Sequence, residues 1–103
     1  MARRSIGYHP AARLEADDAF NWYWDRSLSA ANQFQRELET AQETIQESPE
    51  SWAEHSHGTR RYLLKQFPYV IVYRITATRI EIIAIAHGRR EPGYWVDRLR
   101  PSE

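Results

Sequence analysis

Close to the C-terminal end of the chain, the stretch HGRREPGYW runs from His87 to Trp95 directly behind the apolar run IEIIAIA. It gathers a histidine that titrates near neutral pH, two arginines whose planar forks match a phosphate, and a tyrosine and a tryptophan able to stack on a displaced base. The same residues also have plainer uses. His87 can end a strand bonded to a carbonyl, Arg89 and Arg90 can be a solvated pair, and Tyr94 and Trp95 can fold back over a sheet. A ring the size of Trp95's is expected to pack. Three further cations, Arg60, Arg61 and Arg74, sit in the apolar segments just upstream. His55-Ser56-His57 with Glu54 reads as a solvated loop, because it lacks the defined ligand set of a structural zinc site. No metal and no cofactor is expected.

The elements that must position these groups follow from periodicity. RRSIGY (3–8) is a short candidate strand ended by His9-Pro10, and proline suits the first turn of a helix. From Ala11 to about Ser27, Ala12, Ala16, Ala19, Phe20 and Tyr23 recur at spacings of three and four, with Arg13, Glu15, Asp17 and Asp18 on the other side. Trp22 and Trp24 fall on two sides of that helix, which leaves one for a partner. Ser27 or Ser29 can cap a second helix carrying Ala31, Phe34, Leu38, Ala41 and Ile45, bounded by Pro49. Three β-rich runs follow, RRYLLKQF (60–67), YVIVYRIT (69–76) and RIEIIAIAH (79–87), with short turns that make neighbours antiparallel. Ile71, Tyr73 and Ile75 share one face, so Arg74 projects from the other. The last strand is apolar on both faces except for Glu81, which places it inside the sheet. The expected fold is α+β in the order β-α-α-β-β-β, an N-terminal strand and an αα-hairpin packed on one face of a mainly antiparallel sheet. That leaves the opposite face for function, with His87, Arg90 and Tyr94 accessible on that face or its rim, and residues 88–100 as a turn and tail.

At 103 residues without cysteine, one domain spanning 1–103 is expected, with no covalent staple and no thiol chemistry. No window approaches a membrane span and MARRSIGYHP lacks the apolar stretch of a signal peptide, so a cytoplasmic protein is expected. The zero net charge hides a division. Residues 1–58 hold five arginines against ten acids, and 59–103 hold nine Lys or Arg against four acids, so the halves carry −5 and +5. Such a division either turns a positive face to an anionic partner or lets two packed layers neutralise each other.

Tyr8-His9-Pro10, Trp22-Tyr23 with Arg26-Ser27, Phe34, Pro49, Arg60-Arg61, Phe67-Pro68-Tyr69, Tyr73, and His87, Arg90 and Pro92-Gly93-Tyr94-Trp95 together resemble the RelE/ParE superfamily of bacterial toxins, often labelled plasmid-stabilisation proteins. The resemblance covers nearly the whole chain. It implies the toxin of a type II toxin–antitoxin system, neutralised by a small, partly disordered antitoxin encoded beside it, as a homodimer or a toxin–antitoxin heterotetramer. ParE-like members bind an essential target, DNA gyrase; RelE-like members are metal-free endoribonucleases that cut messenger RNA on the ribosome. For a cutting enzyme the catalytic candidates are His87, Arg90, Tyr94 and Arg61, which offer the proton transfer and phosphate stabilisation that cleavage needs. Arg60, Arg74, Arg89 and Trp95 are candidates for target or antitoxin binding. RelE-like toxins tend to have alternating lysines in the first strand of the hairpin and an arginine after the tyrosine of the next. Here Leu63 and Val70 occupy two of those positions. The expectation is therefore a ParE-like toxin that acts by binding, with the endoribonuclease or an inactive relative as alternatives.

Overall fold

Proline at position 10 fixes where the first helix begins. In the computed structural model, which describes residues 3–100, strand β1 (Ser5–Tyr8) leads directly into helix α1 (Pro10–Trp24). Pro10 occupies the first turn, where its missing N–H is no loss, and His9 Nδ1 accepts from the Ala11 amide at 3.1 Å. The helix stops short of Ser27 because the Arg26 and Ser27 amides both turn back to the Tyr23 carbonyl, at 2.9 and 2.7 Å. Ser27 instead caps α2 (Leu28–Glu47), its Oγ accepting from the Ala30 amide at 3.1 Å. Ala12, Ala16 and Ala19 bury the inner side of α1, and small side chains there let the helix lie close against its neighbours. Ala31, Phe34, Leu38, Ala41 and Ile45 form the buried stripe of α2, as their spacing predicts.

The sheet has five strands: β1, β2 (Ala53–His55), β3 (Thr59–Leu63), β4 (Tyr69–Ile75) and β5 (Arg79–His87), in the order β1-β5-β4-β3-β2. β1 runs parallel to β5 and the other pairs are antiparallel. Two sequence expectations are corrected here. Glu54 and His55 lie in the edge strand β2, not a loop, and three residues are too few to show a period. The strand expected over 60–67 ends at Leu63, since the Lys65 and Gln66 amides are taken by the Glu37 carboxylate of α2. β5 is interior, as its two apolar faces require. Val72 pairs with Ala84 but Tyr73 pairs with Ile82, so Ile83 is an extra residue and β5 bulges there.

That bulge decides which side chains meet which layer. On the helix side Ile71, Tyr73, Ile80, Ile82 and Ile85 pack with the α2 stripe, and Tyr23, Phe34, Phe67 and Tyr69 form an aromatic cluster with centroids 5.0 to 5.6 Å apart. Val72, Ile83 and Ala84 face the other way. The sequence reading leaves that second face for function yet expects Trp95 to pack; the structure bears out the packing and corrects the open face. The segment after β5 folds back so that Trp95, with Tyr94, Val96 and Leu99 around it, covers these residues, and a 3-10 turn (Val96–Leu99) holds the segment's end. Trp95 is only 2% exposed. An apolar patch of this size left in water would be costly, and the tail supplies the cover. No helix among the described residues is long and apolar enough to cross a membrane.

Candidate functional site

β5 outruns β1. Their pairing ends at Tyr8 and Ile82, and the His9 amide takes the Ile82 carbonyl at 2.8 Å as the chain turns into α1. Two backbone groups of β5 beyond that point are met by side chains instead of a strand. The Ile85 amide donates to Glu15 Oε1 of α1 at 3.0 Å, and Arg98 of the tail donates to the Ile83 carbonyl at 3.1 Å. Arg98 also grips Glu15 with both Nη atoms, at 2.8 and 3.0 Å, and the Tyr94 hydroxyl donates to Glu15 Oε2 at 2.7 Å. Both charged side chains are 17% exposed.

The electrostatics agree with this geometry. Burial alone would raise the Glu15 carboxyl, but the bonds from Arg98, Tyr94 and the Ile85 amide outweigh it and hold the group below its ordinary value. Burial and the Glu15 carboxylate push the Tyr94 phenol up, so it stays a donor. Its bond to Glu15 raises the Arg98 guanidinium further. The Tyr94 ring carries Arg90 at 3.9 Å and Arg98 at 5.2 Å from its centre.

A groove of about 470 Å³ lies between the second half of α1 and the end of the sheet where β4 starts and β5 ends. Glu15, Asp18, Trp22 and Tyr23 line it from α1, Tyr69, Ile85 and His87 from the sheet, and Arg90 and Tyr94 from the segment after β5. His87 stands edge-on to Tyr69, centroids 5.2 Å apart, because the two are register partners. Its Nδ1 accepts from the Arg89 amide at 3.1 Å, which in the neutral ring leaves the proton on Nε2. The structure thus brings His87, Arg90 and Tyr94 together around one groove at the end of the sheet. The expected placement on the face or rim opposite the helices is corrected for His87, which shares the helix-side face of Ile85 beyond the bulge at Ile83, whereas Tyr94 sits at the rim and also packs against the cluster of the other face.

The remaining candidates lie elsewhere. Arg61 is exposed on β3, opposite Val72 and away from the groove. Arg60 points to the helix side, donating to the Glu50 and Trp52 carbonyls at 3.1 and 2.7 Å and lying 3.6 Å from Glu54. Arg74 projects from the opposite face, as expected, where it pairs with Glu81 at 2.7 Å and donates to the Leu99 carbonyl at 3.0 Å. Arg89 is exposed in the turn after β5. Trp95 is core, with the His55 and His57 rings 5.7 and 6.3 Å from it. Glu15, Asp18 and Arg98 escape sequence reading as site residues. Trp22 was legible only as one of two tryptophans for which a single helix face had no room; both are 52% exposed, Trp22 under the guanidinium of Arg26 at 3.7 Å.

Residues 6–92 match the family model described as the ParE toxin of type II toxin-antitoxin system, parDE. Toxin ParE2 of Mycobacterium tuberculosis, in two strains, is 27% identical over 93 residues, covering 89% of this chain and 88% of the relative. A solved structure of the chromosomal ParDE TA system from P. aeruginosa is similar in fold, with a TM-score of 0.72 over 82% of this chain and 96% of that one at 17% identity. The family model spans most of the chain, β1 through the turn that carries Arg90, and the chain belongs to the ParE toxins of type II toxin–antitoxin systems.

Proposed function

We propose that this ParE toxin arrests growth by binding an essential target through the groove between α1 and the end of β5, with Arg90 at its mouth, and that DNA gyrase is the target. The observation that carries the reading is the fate of the second sheet face. An RNA-cutting surface there would need a set of open cations, but Trp95 is buried over the Val72, Ile83 and Ala84 part of that face, Arg74 is held by Glu81 and the Leu99 carbonyl, and of the candidate cations there Arg61 alone is exposed. Leu63, 61% exposed, stands where a lysine of the cutting branch is expected. Tyr94, a catalytic candidate, is fixed as a donor to Glu15 with its phenol pushed up, which unfits it as a base near neutrality. What remains is a largely apolar groove lined also by a cation, Arg90, and a carboxylate, Asp18, a surface suited to recognition.

The antitoxin is expected to be the product of the neighbouring gene, with a segment that orders on the toxin. One experiment tests both. The chain is induced alone and together with its neighbour, and the first response of the cells is recorded. Induction alone should set off a DNA-damage response before translation falls, and the neighbour's product should relieve the arrest and co-purify. Translation stopping first, with message cut in the ribosome, would replace this reading by the endoribonuclease.

A further inference from the structure

We infer that Glu15 is a positioning residue for the groove: through the hydroxyl of Tyr94 it fixes the ring on which Arg90 rests, and so sets where that cation meets the target. This rests on the groove being the binding surface. Glu15 is among the residues that line the groove, but it has no acceptor position left for a partner. All four of its acceptor positions are used inside the chain, by the Ile85 amide, by both Nη atoms of Arg98 and by Tyr94. Three separate parts of the chain meet on this one carboxylate: α1, the bulged stretch of β5, and the tail. Tyr94 is the link to the surface, since Arg90 lies 3.9 Å above its ring and forms no ion pair among the described residues. A guanidinium without an acid to hold it takes its place from the ring beneath, and that ring takes its place from Glu15. The turn that carries them holds backbone bonds from Arg90 to the His87 carbonyl at 2.9 Å and from Tyr94 to the Glu91 carbonyl at 3.3 Å, beside the Arg89 amide on His87 Nδ1.

A merely structural role would make Glu15 matter to stability and to nothing else. The two are separated by the Arg90 side-chain resonances in the folded protein. A group 3.9 Å above a tyrosine ring is shielded by the ring current, so Arg90 Nε–H and its neighbouring CH₂ should resonate upfield of exposed Arg89. Glu15→Gln keeps the shape and one carbonyl oxygen but presents an NH₂ to donors. It should move the Arg90 signals toward those of Arg89. Tyr94→Phe keeps the ring and removes one bond of the four, and should move them part of the way, which keeps the test available if Glu15→Gln folds poorly. Arg90 signals unmoved by either change would overturn the positioning role.

The functional arm is a double-mutant cycle on growth-inhibiting potency. Arg90→Ala should lower potency about tenfold, as loss of an interface arginine does. Glu15→Gln should lower it comparably, and the double variant no further. A double variant whose loss is the product of the two would overturn the positioning role while leaving the groove in place. Full potency in Arg90→Ala would overturn the groove reading, and with it any part for Glu15 in binding.

Discussion

Glu15 is a helix carboxylate with four donors and little water around it, and its acidity carries a stability prediction. Its folded value lies below the ordinary 4.5, so the stability it contributes is complete above that value and is lost as pH falls through the lower one. Glu15→Gln should cost about 1–3 kcal/mol at neutral pH, the range for hydrogen bonds to a charged group and the donors left behind. The gap between wild type and variant should close as the solution is acidified below about pH 4.5. Thermal melts of both proteins from pH 7 to 3 check this, because the other carboxylates titrate in both and cancel in the difference. A gap that stays constant would mean the pair contributes nothing through charge. His87, Arg90 and Tyr94 were legible as a group because they lie within eight positions of each other. Glu15 was not, since its partners lie 70 to 83 residues away and, in sequence, it resembles any acid on the wet side of a helix.

At the scale of elements, the helical hairpin was readable because its apolar residues repeat at spacings of three and four and a serine caps its second arm. Phe34 is fully buried and Leu38 is 3% exposed, each in the layer between α2 and the sheet. Phe34→Ala and Leu38→Ala should each lower stability by about 2–5 kcal/mol. Urea unfolding measures it, and Phe34→Ala should be the larger because its ring touches Tyr23, Phe67 and Tyr69. Midpoints unchanged in both would mean the stripe faces water. What the sequence hid at this scale has physical causes. β2 is a three-residue edge strand without a period of its own, the bulge at Ile83 changes no residue type, and although the size of Trp95 announces that it packs, nothing local names Val72, Ile83 and Ala84 as the residues it covers. Reading the face opposite the helices as the one left for function placed His87 on the wrong side.

Across the whole molecule, the division of charge is left largely unneutralised. Of the four ion pairs among the described residues, three join residues within seven positions of each other, and only Glu15–Arg98 ties the helical layer to the C-terminal segment. Arg61, Arg89 and Arg90 form no ion pair among the described residues, which leaves the second half of the chain with positive charge at its surface. Arg90 joins that charge to a groove lined by Trp22, Tyr23 and Tyr69, while the tail covers Val72, Ile83 and Ala84 on the sheet face opposite the helices, an arrangement that supports the proposed binding role. The direct test uses purified protein in two assays run side by side, gyrase supercoiling and cleavage of ribosome-bound message, with wild type, His87→Ala and Arg90→Ala. Supercoiling should be inhibited by wild type, about tenfold more weakly by Arg90→Ala, and by His87→Ala with a loss of about 1 kcal/mol, the contribution of one contact, while the message stays intact. Message cut by wild type and spared by His87→Ala with a loss of about 10² to 10⁴ in rate, the mark of proton transfer, would contradict the account.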